Sequence, residues 1–219
     1  MKRFVLLFGA LLLAASASAQ SIGFGVHGNM FNSDINAKAK QLAGIPNSTG
    51  TAQVAIEEVY GLGLGGGVHF DIGLGILKIR VSGDYLTLSP DKDKFKSYVQ
   101  SVLPGFPVAF EEGGKVDMIS GSANLKLTIL PLPVFKPYIT GGGGVTHVTA
   151  TDVIISVNSV KLSPITILKT QTVGSFNAGA GLDIDLSAFA IFAEARVNWI
   201  MLEEGTSTYV PIFTAGITF

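Results

Sequence analysis

STYVPIFTAGITF, Ser207 to Phe219, decides how the chain is read. Tyr209, Pro211, Phe213, Ala215, Ile217 and Phe219 fall on alternate positions, and Thr208, Thr214, Gly216 and Thr218 fill most of the places between them. Strict period-2 alternation is how a β-strand sets one face against an apolar phase and the other against something polar or tightly packed. Chain ends are ordinarily frayed and solvated, so an apolar alternation that runs to a final phenylalanine is out of place in water.

The same alternation recurs upstream. Ile22, Phe24, Val26 and Met30 oppose Gly23, Gly25, His27 and Asn29 in Ser21 to Phe31, the first expected strand. A second is expected from Glu58 to Phe70, with Tyr60, Leu62, Leu64, Val68 and Phe70 outward and Gly61, Gly63, Gly65, Gly67 and His69 inward, followed by a tight turn over Asp71 to Gly75. The third, Ile76 to Leu88, sets Leu77, Ile79, Val81 and Tyr85 against Lys78, Arg80, Ser82 and Asp84. Charges on every second residue fit a polar interior. Val116 to Ile129 is the fourth strand, with Asn124 and Lys126 inward, and Pro131 and Pro133 end it because proline cannot donate to a central ladder. The fifth opens at Lys136 and passes through Gly141 to Gly144. The sixth runs from about Lys169 to Leu182 and is followed by a turn over Asp183 to Ser187; the seventh alternates Phe189, Ile191, Ala193, Ala195, Val197 and Trp199 with Phe192, Glu194, Arg196 and Asn198.

Between strands one and two, 32–55 reads as a long loop with a helical turn through Ala37 to Leu42. In the second long loop, Ser89 to Lys115, Phe95, Tyr98, Val99, Val102 and Leu103 have the spacing of a short amphipathic helix, either a partner-binding or lipid-facing lid or a capping turn packed on the barrel mouth. Val153 to Leu168 looks like a hairpin around Asn158-Ser159 that extends beyond the membrane; counted as a strand pair, it would make ten strands instead of eight. Connections after strands one, three and five are thus long, and those after two, four and six short. That asymmetry belongs to outer-membrane barrels, whose periplasmic turns are short.

Composition agrees. Charged residues are 14% of the chain, against about 25% in soluble domains. After the first twenty residues no continuous apolar run reaches helical spanning length, which leaves a barrel as the way to place so many apolar residues in a membrane. Lys2 and Arg3, the apolar Phe4 to Ala15 and the small-residue site Ala17-Ser18-Ala19 form a secretory signal peptide. The expected organisation is therefore a signal peptide over 1–19 and one barrel domain over 20–219, destined for the cell outer membrane. Cysteine is absent, so no disulfide staples the fold. Without Lys2 and Arg3 the chain holds 13 basic and 16 acidic residues, a formal net charge of −3. No basic tract points to nucleic acid.

The segments KPYITGGGGV from Lys136, NAGAGLDIDL from Asn177 and AIFAEARV from Ala190, with the signal peptide and the terminal Phe219, resemble the small porin-like outer-membrane β-barrel family. The resemblance implies an all-β fold, an eight-stranded antiparallel transmembrane β-barrel with short periplasmic turns and long extracellular loops. It also makes Tyr209, Phe213, Ile217 and Phe219 an assembly signal read by the barrel-assembly machinery. Outer-membrane lipid and lipopolysaccharide are the expected surroundings. No single activity and no catalytic residue follow from the family.

Sites of other kinds find little support in the sequence. The glycine runs Gly61 to Gly67 and Gly141 to Gly144 continue β alternation, whereas a phosphate loop needs a following helix. His27, His69 and His147 lie on three different strands without the close-spaced pairs of a zinc site. A lipid-modifying hydrolase would need a serine, a histidine and an acid; His147-Val148-Thr149 offers only a threonine. Tyr60, Tyr85, Tyr138, Trp199, Tyr209, Phe213 and Phe219 fit interfacial aromatic girdles. No enzyme, cofactor or metal is expected. The interior set Lys78, Arg80, Lys126 and Arg196 against Asp71, Asp84, Asp183 and Glu194 is neutral and should form a paired plug, with Arg80 meeting Glu194 across the lumen. The expected function is a non-enzymatic surface or structural protein whose loops carry any interaction. A small passive or hydrophobic-solute channel is the main alternative, and a lipid-modifying enzyme the third.

Overall fold

The computed structural model describes residues 20–31, 36–38, 53–55, 61–94, 96–97, 108–157, 160–161, 164, 169–201 and 207–219. The signal-peptide stretch, Tyr60 and the apolar positions Phe95, Tyr98, Val99, Val102 and Leu103 lie outside them.

Eight long strands close an antiparallel barrel. They are β1 (Gln20–Phe31), β4 (Gly63–Leu74), β5 (Leu77–Leu88), β7 (Val116–Thr128), β8 (Phe135–Ala150), β11 (Gln171–Asp185), β12 (Ala190–Met201) and β13 (Ser207–Thr218), each beside its neighbour in the chain, with β1 returning to β13. Closure leaves no edge of unpaired backbone groups, each of which would cost several kcal/mol in lipid. The burial pattern follows the sequence alternation: Val81 and Tyr85 of β5 face out, while Arg80, Ser82 and Asp84 are buried inside.

The remaining strands lie outside the barrel wall. β2 (Asn36–Lys38) pairs with β3 (Gln53–Ala55), so Ala37 and Lys38 are extended, not part of a helical turn; the rest of that expected turn is outside the described residues. β6 (Val108–Glu112) pairs with β9 (Ile154–Val157), which pairs with β10 (Val160–Lys161). The hairpin expected around Asn158-Ser159 therefore joins a strand of the preceding long loop in a separate three-stranded sheet, and the barrel keeps eight strands. Residues 92–94 and 96–97 are helical, and the Asp91 carboxylate caps that start by accepting from the Asp93 and Lys94 N–H groups at 3.0 and 3.2 Å.

Two expected turns are instead strand. Asp71 to Leu74 continue β4, because Asp71 sits directly opposite Arg80 on β5 and the reversal is made by Gly75-Ile76 alone. Gly75 takes φ +70°, open to glycine at little cost and favoured at the first central position of a two-residue hairpin. Likewise Asp183 to Asp185 continue β11, and the turn begins at Leu186.

The seam between first and last strands is the shortest pairing in the wall. It runs from Gly25 to Phe31 against Ile212 to Thr218, extended by reciprocal backbone hydrogen bonds between Phe24 and Phe219 at 3.0 and 2.8 Å. On its other side β1 is paired with β4 along its whole length.

Candidate functional site

The lumen has two chemically distinct levels. Toward the long-loop end, Phe31, Leu86, Met118, Val148, Val210 and Ile212 point inward and are buried. The register places Leu86 opposite Met118, Met118 opposite Val148 and Phe31 opposite Ile212, so these side chains form one apolar layer. Burial of such a side chain is worth about 1.5–3 kcal/mol relative to water. The layer was not expected from the sequence. Its signal was present in the apolar residues on both faces of β13, where Val210 and Ile212 break the polar row.

Below that layer the lumen is polar and charged. Asp84 is its hub: Oδ1 accepts from His27 Nε2 at 2.7 Å, from Asn29 Nδ2 at 2.7 Å and from Arg196 at 3.4 Å, while Oδ2 accepts from Ser82 at 3.3 Å. Arg196 comes from β12, on the far side of the barrel from β5. It also approaches Glu194 at 3.7 Å.

Arg80 does not meet Glu194 as expected. It makes a two-pronged pair with Asp71, at 2.8 and 2.9 Å, because the two residues are direct partners on adjacent strands and no lumen has to be crossed. Glu194 instead accepts from the Tyr138 hydroxyl at 3.0 Å. Lys126 donates to Asp183 at 2.7 Å, and Lys78 lies 3.7 Å from the same carboxylate. Lys126 Nζ also stands 3.7 Å from the centre of the Tyr138 ring, and the Arg80 guanidinium 4.4 Å from that of Phe192. Tyr138 is therefore an interior residue, a correction to its placement in the aromatic girdle. Inward alternation from Lys136 through Tyr138 to Thr140 sets its direction.

Interior glycines make this crossing of side chains possible. A Cβ on Gly181 would lie 2.4 Å from the Tyr138 hydroxyl, and one on Gly63 2.2 Å from the Phe31 ring. Glycine at these inward positions leaves room for the long side chains of neighbouring strands.

His27 and His69 meet in the lumen, with Nδ1 atoms 3.2 Å apart, and His69 Nε2 lies 2.9 Å from the Thr218 hydroxyl. The Asp84 carboxylate can only accept, so His27 donates to it from Nε2. The contacts run on from His27 to His69 and from His69 to Thr218, so one line of polar side chains joins β5, β1, β4 and β13. Sequence spacing separated these histidines, but strand pairing of β1 with β4 brings them together. His147 instead faces outward near the long-loop end and bonds Thr172 at 2.8 Å.

The outer wall is apolar. Tyr209, Phe213, Ile217 and Phe219 all lie exposed on the outer face of the terminal strand. At the long-loop rim Tyr85 donates to Asp117 at 2.7 Å, and Lys115 lies 3.0 Å from the same carboxylate, which holds the Lys115 ammonium above its ordinary range. Among the described residues no cluster of three or more acidic, histidine or cysteine side chains could hold a metal ion.

Comparison with known proteins agrees with this architecture. The family model described as outer membrane protein beta-barrel domain matches residues 4–209. No curated protein matches the sequence. Among solved structures the chain is similar to Neisserial surface protein A, with a TM-score of 0.52 and 14% identity over 92% of this chain and 98% of that one. It is also similar to Ail, the attachment invasion locus protein of Yersinia pestis, solved with the heparin analogue sucrose octasulfate (TM-score 0.40, 13% identity, 91% and 97% covered). A third likeness is to the outer membrane protease OmpT from Escherichia coli (TM-score 0.34, 9% identity, 94% and 99% covered). At such identities the likeness concerns the fold alone. With a closed eight-stranded wall, an apolar outer face and a family model spanning nearly its whole length, the chain belongs to the outer membrane protein β-barrel family and is an integral protein of the outer membrane.

Proposed function

We propose that this barrel is a non-enzymatic surface protein: a sealed anchor in lipid and lipopolysaccharide that displays its long loops to the outside, after insertion by the barrel-assembly machinery. The observation that carries the reading is the Arg196–Asp84 contact across the lumen, stacked beneath the apolar layer of Phe31, Leu86 and Ile212. An eight-stranded interior is only wide enough for side chains to fill. Here they meet from opposite walls.

The absence of an enzymatic role is supported by the same geometry. His27 and Asp84 make the chain's one close histidine–carboxylate contact among the described residues, and both side chains are 3% exposed. Side chains so enclosed are poorly placed to reach a substrate, which favours a structural role for the pair. The extracellular display surface is the sheet of β6, β9 and β10, where Ser156 donates to Glu111 at 2.7 Å.

A narrow channel is the second reading, and one observation favours it. The amide oxygens of Asn124, Asn177 and Asn198 are buried without a protein partner, the chemistry that ordered water satisfies. Planar-bilayer conductance of the purified protein separates the two. A flat baseline is expected; steady, reproducible single-channel currents would overturn the sealed anchor in favour of the channel.

A further inference from the structure

The two ends of the barrel differ in a way that the membrane alone does not require. At the long-loop end the surface is charged, with Asp93, Lys94, Glu111, Lys115 and Asp152 exposed. At the other end the three short turns, Gly75-Ile76, 129–134 and 186–189, carry no charged residue. The middle one is the longest. It reads Ile129-Leu-Pro-Leu-Pro-Val134, followed by Phe135, and every one of these residues is exposed, Ile129 at 62% and Leu132 at 43%. Seven successive apolar residues in water would be an aggregation liability.

We infer that this turn is seated among the acyl chains of the periplasmic leaflet, as a downward continuation of the lipid-facing wall. Three features carry the inference. First, the apolar surface is unbroken: Leu125 and Leu127 lead into the turn on β7, and Phe135 and Ile139 lead out of it on β8, all outward and exposed. Second, the turn leaves few backbone donors that need water. Pro131 and Pro133 have no N–H to satisfy, Ile129 N–H donates to the Pro137 carbonyl at 2.9 Å and Leu132 N–H to the Leu130 carbonyl at 3.0 Å. The Val134 carbonyl accepts from Asp185 N–H at 2.9 Å, which ties the turn to the neighbouring strand. Third, the nearest charges, Lys136 and Asp185, are paired with each other. A periplasmic protein partner would meet the same apolar residues, but it would not need the proline-depleted donors, since a partner can supply acceptors and lipid cannot.

The chain has no cysteine, so a single probe can be placed cleanly. Leu132→Cys is labelled with an environment-sensitive NBD fluorophore and the protein folded into phosphatidylcholine vesicles, with Leu130→Cys as a second site and Glu112→Cys on the extracellular sheet as the water-exposed reference. Folding is checked for each by heat-modifiable mobility on gels. The expected result is blue-shifted emission at 132 and 130. Nitroxide carried on the lipid acyl chains should quench these probes at least twofold more than iodide does, with the reverse order at 112. Water-like emission and free iodide access at both turn sites would overturn the inference. If that exposure disappears only in native outer membranes, the occupant is a protein and the inference also fails.

Discussion

The guanidinium of Arg196 lies 3.4 Å from the Asp84 carboxylate on the opposite wall of the barrel, with both side chains almost fully enclosed. Sequence position places them 112 residues apart. Removing the acid leaves the cation, His27 and Asn29 without their common acceptor. Loss of one partner of a buried pair costs about 3–5 kcal/mol, so Asp84→Ala should lower the urea midpoint of the vesicle-folded barrel by that equivalent. The double variant Asp84→Ala with Arg196→Met should recover part of the loss. A single variant as stable as the parent would mean that the pair contributes nothing.

Asp183 serves two lysines, Lys126 at 2.7 Å and Lys78 at 3.7 Å. Asp183→Ala strands both, whereas Lys126→Met leaves the acid with Lys78 and keeps an apolar stem against Tyr138. The expected order of stability in denaturant titration is parent, then Lys126→Met, then Asp183→Ala. Reversal of the last two would reject the shared-acceptor geometry.

Gly181 and Tyr138 are packed against each other. A methyl group at 181 meets the phenol oxygen at 2.4 Å and the Ala193 carbonyl oxygen at 2.6 Å, an overpacking of the kind that costs about 1–3 kcal/mol. Gly181→Ala should therefore destabilise the barrel. Adding Tyr138→Phe removes the nearest contact at the expense of the Glu194 hydrogen bond, so the two changes should be non-additive in a double-mutant cycle. Strict additivity would argue against the contact.

Phe219 closes the seam through reciprocal backbone hydrogen bonds with Phe24. Deleting it removes both bonds as well as the terminal aromatic of the proposed assembly signal. Outer-membrane levels of the truncated protein should fall severalfold by quantitative immunoblot of fractionated cells, and unchanged levels would dismiss the signal.

The mature protein is expected to begin at Gln20, where strand β1 also begins. Intact mass of membrane-extracted protein decides this directly, and retention of 1–19 would count against the signal peptide.

Alternation made the wall legible, since the outward rows of β5, β7, β12 and β13 could each be read from one face of the sequence. Strand ends were less legible for a physical reason. Asp71 and Asp183 look like turn residues in isolation, yet each is held inside by a cation on another strand, Arg80 and Lys126 respectively. The same non-locality explains the misassigned partner of Arg80: depth along a strand can be counted from sequence, but the stagger between strands cannot. It was the pairing of β4 with β5 that placed Asp71 within reach. His27 and His69 were recognised as inward, but their contact depends on a neighbour relation that spacing does not encode.

The short seam carries a consequence in time. Every other pairing in the wall joins strands that follow one another around it in chain order, so those pairings can form early, hairpin by hairpin. The pairing of β1 with β13 unites the two ends of the chain and pays the largest loop-closure entropy. It should therefore form last and part first. Thr214 donates to the Asn29 Oδ1 at 2.7 Å and His69 Nε2 lies 2.9 Å from the Thr218 hydroxyl, side-chain bonds that span this join. They act as a latch set after the circle is complete. On that order, the separation of Asp84 and Arg196, which lie on opposite walls, is expected to be fixed only when the circle closes. Variants at Thr214 or Thr218 should therefore slow closure of the seam more than they alter the pairing of chain neighbours.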